Sequence, residues 1–213
     1  MTASSFPLLD AHIRDALEAV YREFAAPAPP AIVGCLCPCC FTTRDLDTLV
    51  TTPLRELTAQ ALWGYASGFN WTVGSKRDFR YLLPRILDIS VNDPRNANEP
   101  EVVLRKLGLA DWQSWSASEQ RAVEKFVDAW FERALAQDLA GARRGWVDSM
   151  AESVLCGAAC AGFPLARWLT RLCEPSAAPV LMDLKERSPD DLSAFWGNAP
   201  TGLEELSTFL GQR

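Results

Sequence analysis

Histidine is almost absent from this sequence: His12 is the only one among 213 residues. A Cys–His nucleophilic pair would therefore have to use His12, which lies at the edge of an apolar helical stripe, a position typical of a boundary residue. The sequence also lacks a glycine-rich phosphate loop, a serine nucleophile elbow and a His-Glu-x-x-His pair. These absences favour a non-enzymatic protein.

Positive charge and long hydrophobic runs are also scarce. The 21 Lys and Arg residues are outnumbered by 27 Asp and Glu, which gives a net charge of −6. This balance argues against nucleic acid and anionic membranes as partners, and it suits a basic protein partner better. The longest apolar stretch, residues 154–165, is interrupted by glycine and proline and is too short to cross a bilayer. With no signal peptide recognisable, we expect a cytoplasmic protein.

Apolar residues recur every three or four positions, which predicts helices, and no segment alternates as a strand would. The most regular pattern is a predicted helical hairpin over residues 58–90. Ser75 and Asp78 form a capping box at the start of its second helix, and Thr58 caps the first. Gly74 suits the turn between them. One apolar stripe follows Ser75, formed by Phe79, Leu82, Leu83, Ile86 and Leu87.

Further helices are predicted along the rest of the chain. Ser116 and Glu119 predict a long helix through about residue 139, Asn98 and Glu101 a short one before it, and residues 146–161 another after it. These patterns predict an all-α fold, an irregular bundle or a short solenoid of antiparallel helix hairpins. We expect a single helical domain over residues 1–213, with a possible subdivision near the polar loop 92–99.

The most unusual feature is a cysteine-rich loop over residues 31–41. Cys37 and Cys40 have the Cys-x-x-Cys spacing that lets two thiolates bind one tetrahedral zinc ion. Cys156 and Cys160 lie four residues apart on a predicted helix, so both could face one point. The sequence thus suggests a possible zinc site formed by Cys37, Cys40, Cys156 and Cys160, although a second Cys-x-x-Cys is missing.

Two other interpretations of these cysteines remain open. A Cys-x-x-Cys at a helix N-terminus is typical of thioredoxin-like redox sites, but the strands of that fold are absent here. The cysteines could equally pack as small hydrophobic residues, because a thiol is often buried in that way. Their odd number, seven, and the absence of a secretion signal predict reduced thiols.

Tryptophan is abundant, with eight residues. Trp71, Trp112 and Trp115 fall in predicted loops or linkers and could be partly exposed. Aromatic side chains among acidic ones would suit a protein-binding surface. They could instead close the ends of the helix bundle.

Three motifs together resemble an uncharacterised bacterial family. They are the Cys-Pro-Cys-Cys run that begins at Cys37, the Thr-Pro-Leu-Arg-Glu-Leu run from Thr52, and the Asp-Phe-Arg-Tyr-Leu-Leu-Pro-Arg-Ile-Leu helix from Asp78. The resemblance covers roughly the first half of the chain, the part with these capping signals. It implies no activity and no functional residues. The extra Cys35 and the adjacent pair of cysteines at 39 and 40 depart from the family pattern.

The leading functional hypothesis is therefore a non-enzymatic cytoplasmic protein that binds another protein. One version is an immunity protein that neutralises a bacterial toxin domain by covering its surface, since an acidic inhibitor is steered quickly onto a basic toxin. The alternative is a zinc-binding regulatory or redox protein that uses the cysteines of residues 35–40. The protein-binding hypothesis requires no cofactor, and the alternative requires zinc.

Overall fold

The chain is all α-helical, as predicted. The computed structural model describes residues 5–35, 37 and 40–211, with side chains from residue 10 onward. Within that part, two isolated β-bridges occur and no strand. The ten α-helices are α1 (Ser5–Glu23), α2 (Thr43–Thr51), α3 (Ala59–Gly68), α4 (Lys76–Asn92), α5 (Pro100–Leu109), α6 (Ala117–Ala142), α7 (Met150–Cys160), α8 (Ala166–Leu172), α9 (Ala178–Arg187) and α10 (Pro200–Gly211).

Side-chain caps begin the helices that the sequence predicted most clearly. Ser75 and Ser116 each accept a hydrogen bond from the third residue of α4 and α6, and the acidic residue at that position bonds back to the cap. Thr58 caps α3 in the same position without the return bond. Gly74 has a φ of +74°, the left-handed conformation that the turn before α4 requires. The predicted hairpin over residues 58–90 is confirmed.

The helices pack as an irregular bundle around one contiguous core. The buried apolar residues form a single cluster that extends from Ile13 on α1 to Leu210 on α10. The most extensive contacts join α1 to α6, α5 to α7, and α6 to α7. Because α1 and α6 lie far apart in the sequence, this packing is that of a bundle rather than of a solenoid whose neighbours are consecutive. None of the described helices combines the length and apolar character needed to span a bilayer.

Two predicted helix starts are wrong. The helix expected from residue 146 begins at Met150, after a turn in which Ser149 has a φ of +58°. The helix expected to be capped by Asn98 and Glu101 begins at Pro100 without a side-chain cap. The carboxylate of Glu101 is buried and accepts a hydrogen bond from the Ser193 hydroxyl at 2.9 Å. The Glu101 side chain, which was predicted to cap the helix, thus bonds instead to a residue far along the chain.

A buried carboxylate on α7 holds the C-terminal part of the chain. Glu152 accepts hydrogen bonds from the Ser193 backbone N–H at 2.7 Å, from the Trp196 indole at 3.1 Å and from Arg187 at 2.6 Å. All of its partners lie more than thirty residues further along the chain. The pattern did not predict α9, although this helix supplies the arginine.

Candidate metal site in the cysteine loop

The turn that follows α3 holds the first half of the cysteine loop. The Gly74 N–H donates to the Val33 carbonyl at 2.8 Å, and the Cys35 N–H donates to the Thr72 carbonyl at 2.7 Å. Between these bonds, Gly34 and Val73 form an isolated antiparallel bridge. Cys35 is therefore fixed against the body of the protein by backbone bonds.

The second half of the loop is fixed by Phe41 and α2. The Phe41 ring lies against α3 where a glycine leaves room for it, because a Cβ on Gly64 would be only 3.3 Å from the ring. A Cβ on Gly68, four residues later, would be 3.8 Å from the same ring. Thr42 then caps α2 with a capping box to Asp45. The two glycines, four residues apart on α3, thus permit the close approach of the Phe41 ring.

A tight turn brings Cys37 and Cys40 together. The Cys40 N–H donates to the Cys37 carbonyl at 3.0 Å, which folds the Cys-x-x-Cys into one turn. The Sγ atoms of Cys35, Cys37 and Cys40 all lie within 4.8 Å of one another. Sulfurs bound to one tetrahedral zinc, each about 2.3 Å from the metal, are roughly 3.8 Å apart. A shift of about an ångström in these side chains is thus enough to bind one ion.

Solvent reaches this sulfur cluster. Cys35 is exposed, and Cys37 and Cys40 are half-buried. A thiolate is the form that binds metal, and it is less costly at such a position than in an apolar core. The cluster is therefore accessible to an incoming ion.

Cys156 and Cys160 do not belong to this cluster. Both lie on α7, which packs against α5 and α6. The hydrogen bond with Cys160, together with burial, raises the pKa of the Cys156 thiol. The Cys160 thiol donates weakly to the Phe195 carbonyl at 3.5 Å. The structure thus groups Cys37 and Cys40 with Cys35 rather than with the α7 pair, and backbone bonds hold Cys35 against the turn after α3.

Cys35 was missing from the predicted zinc ligands, although its spacing from Cys37 and Cys40 could have indicated it. Cys35, Cys37 and Cys40 form a Cys-x-Cys-x-x-Cys run, so all three could reach one ion without a distant helix. His12, the only histidine, is exposed on α1 and is not part of the cluster.

For two of the three tryptophans, burial favours the second interpretation, that they close an end of the bundle. Trp112 and Trp115 are only 4% and 7% exposed. The Trp112 indole donates to the Ala161 carbonyl at 2.8 Å and stacks on Phe163, while Trp115 meets Phe24 edge-on. A 3₁₀ turn, Trp112–Ser114, places both rings inward, where they close one end of the bundle.

Trp71 is 62% exposed and lies near the cysteine loop. Its ring is 4.1 Å from the ammonium of Lys106, a buried lysine that donates to the Ser67 and Phe69 carbonyls at the end of α3. Burial lowers the pKa of Lys106 to about 8. Val33, which is 81% exposed, lies beside the same turn because its carbonyl bonds to Gly74. We call Val33 and Trp71 the Val33–Trp71 surface.

No protein-family model, curated protein or solved structure compared with the chain matches it. The resemblance to an uncharacterised bacterial family stays a prediction.

Proposed function

We propose that the protein binds one zinc ion through the thiolates of Cys35, Cys37 and Cys40. The observation that carries this proposal is the proximity of the three Sγ atoms, all within 4.8 Å of one another. Thiolates select zinc, copper(I) and iron–sulfur clusters, and a single mononuclear site built from a short loop suits zinc best. The fourth position of the tetrahedron is left to water, as the exposure of Cys35 allows.

The fixed ends of the loop support this assignment. The backbone bonds of Cys35 on one side and the Phe41 contact on the other hold the chain in place before and after the cluster. A preformed loop reduces the conformational entropy that metal binding must overcome. Zinc in this position would cross-link the two halves of the loop, which is a regulatory or structural role rather than a catalytic one.

Elemental analysis of the purified protein tests the proposal. We expect about one zinc per chain, and we expect Cys37→Ser and Cys40→Ser each to lower the zinc content to near zero, because losing one thiolate of three leaves too few ligands. Cys35→Ser should act in the same way. Cys173→Ser is the matched control, since Cys173 is half-buried and its thiol donates to the Leu169 carbonyl, away from the loop.

Two results would contradict the zinc proposal. One is a metal-free protein that takes up no zinc when the reduced chain is titrated with it. The other is stoichiometric zinc retained after all three substitutions together. A disulfide between Cys37 and Cys40 in freshly isolated protein, with no metal, would instead support the redox alternative.

We propose as a second function that the protein binds a basic protein partner through the Val33–Trp71 surface. Val33 and Trp71 are 81% and 62% exposed, and tryptophan is among the residues that most often dominate the binding energy of an interface. The net charge of −6 favours a basic partner. The narrower idea, an immunity protein that neutralises a bacterial toxin domain in the cytoplasm, stays a prediction.

Affinity capture with matched variants tests this second function. We expect Val33→Lys to abolish capture of a basic partner from an extract of the host, because a positive charge that repels the partner replaces apolar contact at a position that is 81% exposed. Trp71→Ala should do the same, although it also uncovers Lys106. Trp146→Ala is the control, since Trp146 is 50% exposed elsewhere. Capture that is unchanged by Val33→Lys, or equally weakened by Trp146→Ala, would show that another surface is used.

A further inference from the structure

A cleft separate from the cysteine cluster lies between the end of α1, the first half of α4 and the turn before α6. It has a volume of about 450 Å³ and is bounded on one side by the proline-containing linker after α1. Sites for small molecules typically have volumes of about 300–1,000 Å³. The cleft is therefore large enough for a small organic ligand.

Positive charge is concentrated in this cleft although the chain as a whole is acidic. Lys76, Arg77 and Arg80 on α4 line it, together with Glu23 and Glu119. Arg80 is offset by Glu119 and Lys76 by Asp111, so Arg77 is the cation of the cleft that no carboxylate of the described residues pairs with, in a protein whose net charge is −6. An anion is thus favoured there over a cation.

The three basic side chains differ in how they are already bonded. Arg80 forms an ion pair with Glu119, and Lys76 lies 3.8 Å from Asp111 in an exposed pair that contributes little. Arg77 is exposed and has no hydrogen-bond or ion-pair partner among the described residues. Arg77 is therefore the side chain that is available for a ligand, with its planar fork of donors suited to an oxyanion.

The wall beside these charges is aromatic. Phe24, Tyr81 and Trp115 line the cleft, and the Phe24 and Trp115 rings meet edge-on with centroids 5.2 Å apart. The Arg80 guanidinium lies over the Trp115 ring at 5.6 Å. Arg80 is held by Glu119 and by this ring, so it shapes the cleft rather than moving freely. Each of these three side chains is less than 10% exposed, so an apolar group in the cleft meets only the small part of each ring that reaches the surface.

We propose that this cleft binds a small organic anion, an oxyanion head carried on a flat apolar body. The head, a carboxylate or a phosphate, bonds to Arg77 with Lys76 nearby, and the body lies against the aromatic wall. This site is independent of the zinc proposal, because none of its lining residues belongs to the cysteine loop. Neither proposal requires the other.

Calorimetric titration with four probes tests the site. Benzoate and phenyl phosphate carry a carboxylate and a phosphate, respectively, on a phenyl ring. Benzyl alcohol is the neutral match, and inorganic phosphate is the anion without a ring. We expect saturable one-to-one binding of benzoate, of phenyl phosphate or of both, and the tighter of the two identifies the head. Benzyl alcohol and inorganic phosphate should bind at least about tenfold more weakly.

A matched pair of variants assigns the binding to the cleft. Arg77→Gln should weaken the better anion by about tenfold, since it removes one charge-assisted contact. Arg121→Gln is the control, because Arg121 is exposed on α6 and does not line the cleft. Both arginines are exposed and lack partners among the described residues, so neither variant should unfold the chain, which circular dichroism verifies.

Three results would overturn the proposal: no saturable binding of either aromatic anion, equal binding of benzyl alcohol, or equal weakening by Arg121→Gln. Repeating the titration on the Cys37→Ser variant separates this proposal from the zinc site. Anion binding that persists in that variant supports the cleft whatever the zinc content proves to be.

Discussion

Buried charged residues in this protein satisfy the backbone groups that helix ends leave without partners. Lys106 donates to two carbonyls at the end of α3. Asp138 on α6 accepts from the backbone N–H groups of Met150 and Ala151, at 3.0 and 2.8 Å, at the start of α7. The residue before α7, Ser149, makes no side-chain cap. The Asp138 carboxylate, which is distant in the sequence, thus caps the N-terminus of α7 in place of a local side chain.

Asp138 makes the stability of the protein depend on pH in a predictable direction. Burial raises the pKa of this carboxyl to about 6, against an ordinary value of 3.8, even though the bonds from Ala151 and Met150 oppose the shift. A carboxyl with a raised folded-state pKa binds a proton more readily in the folded chain, so its contribution to stability grows as the pH falls from about 7 towards 4. We expect wild type to gain about 1 kcal/mol relative to Asp138→Asn between pH 7 and pH 5.

Urea unfolding of the two proteins across that pH range measures the effect. Asp190→Asn is the control, because Asp190 is exposed. The free energy of unfolding of this variant should change with pH in parallel with that of wild type. The difference between wild type and Asp138→Asn, rather than either curve alone, isolates this carboxyl from others such as Glu119, whose pKa is lowered. A difference that is constant with pH would show that Asp138 does not titrate in this range.

At the scale of elements, α5 and α7 cross in close contact. Gly157 lies at this crossing, where an added Cβ would be 2.8 Å from the Pro100 carbonyl oxygen and 3.1 Å from the Glu101 Cα. Backbone atoms cannot rotate away as a flexible side chain can. The small residue on α7 therefore sets the separation of the two helices.

Gly157→Ala should destabilise the protein despite the better helix propensity of alanine. Overpacking against backbone typically costs about 1–3 kcal/mol, and the propensity gain offsets up to about 1 kcal/mol of this. We expect a net loss of about 1–2 kcal/mol in the free energy of unfolding, measured by urea denaturation. Gly211→Ala, at the exposed end of α10 with nothing near its Cβ position, should change it by less than about 0.5 kcal/mol. An equal effect of both variants would mean that α5 and α7 can separate freely.

At the scale of the whole molecule, one core joins elements that are far apart in the sequence. Buried side chains on both sides of the loop 92–99 belong to the same apolar cluster, and α4 before the loop contacts α5 after it. The prediction of a single domain stays a prediction, and this shared core favours it over two separate halves. The cysteine loop and the cleft lie at the surface of this core, on different sets of residues.

The sequence by itself determined the local features of the fold. Helical periodicity and side-chain caps involve residues within four positions of one another, so α4 and α6 could be predicted with their capping residues. The turn of Cys37 and Cys40 is local in the same sense. These features need no information about what lies across the core.

Only the tertiary structure decided which distant groups meet. It placed Cys35 with Cys37 and Cys40 through bonds to the turn after α3, and it left Cys156 and Cys160 on α7. It buried Trp112 and Trp115, which looked like linker residues in the sequence. The physical reason is that these contacts depend on how separate helices pack against one another. Local residue spacing predicts a helix and its caps, but it does not predict which other helix will lie against it.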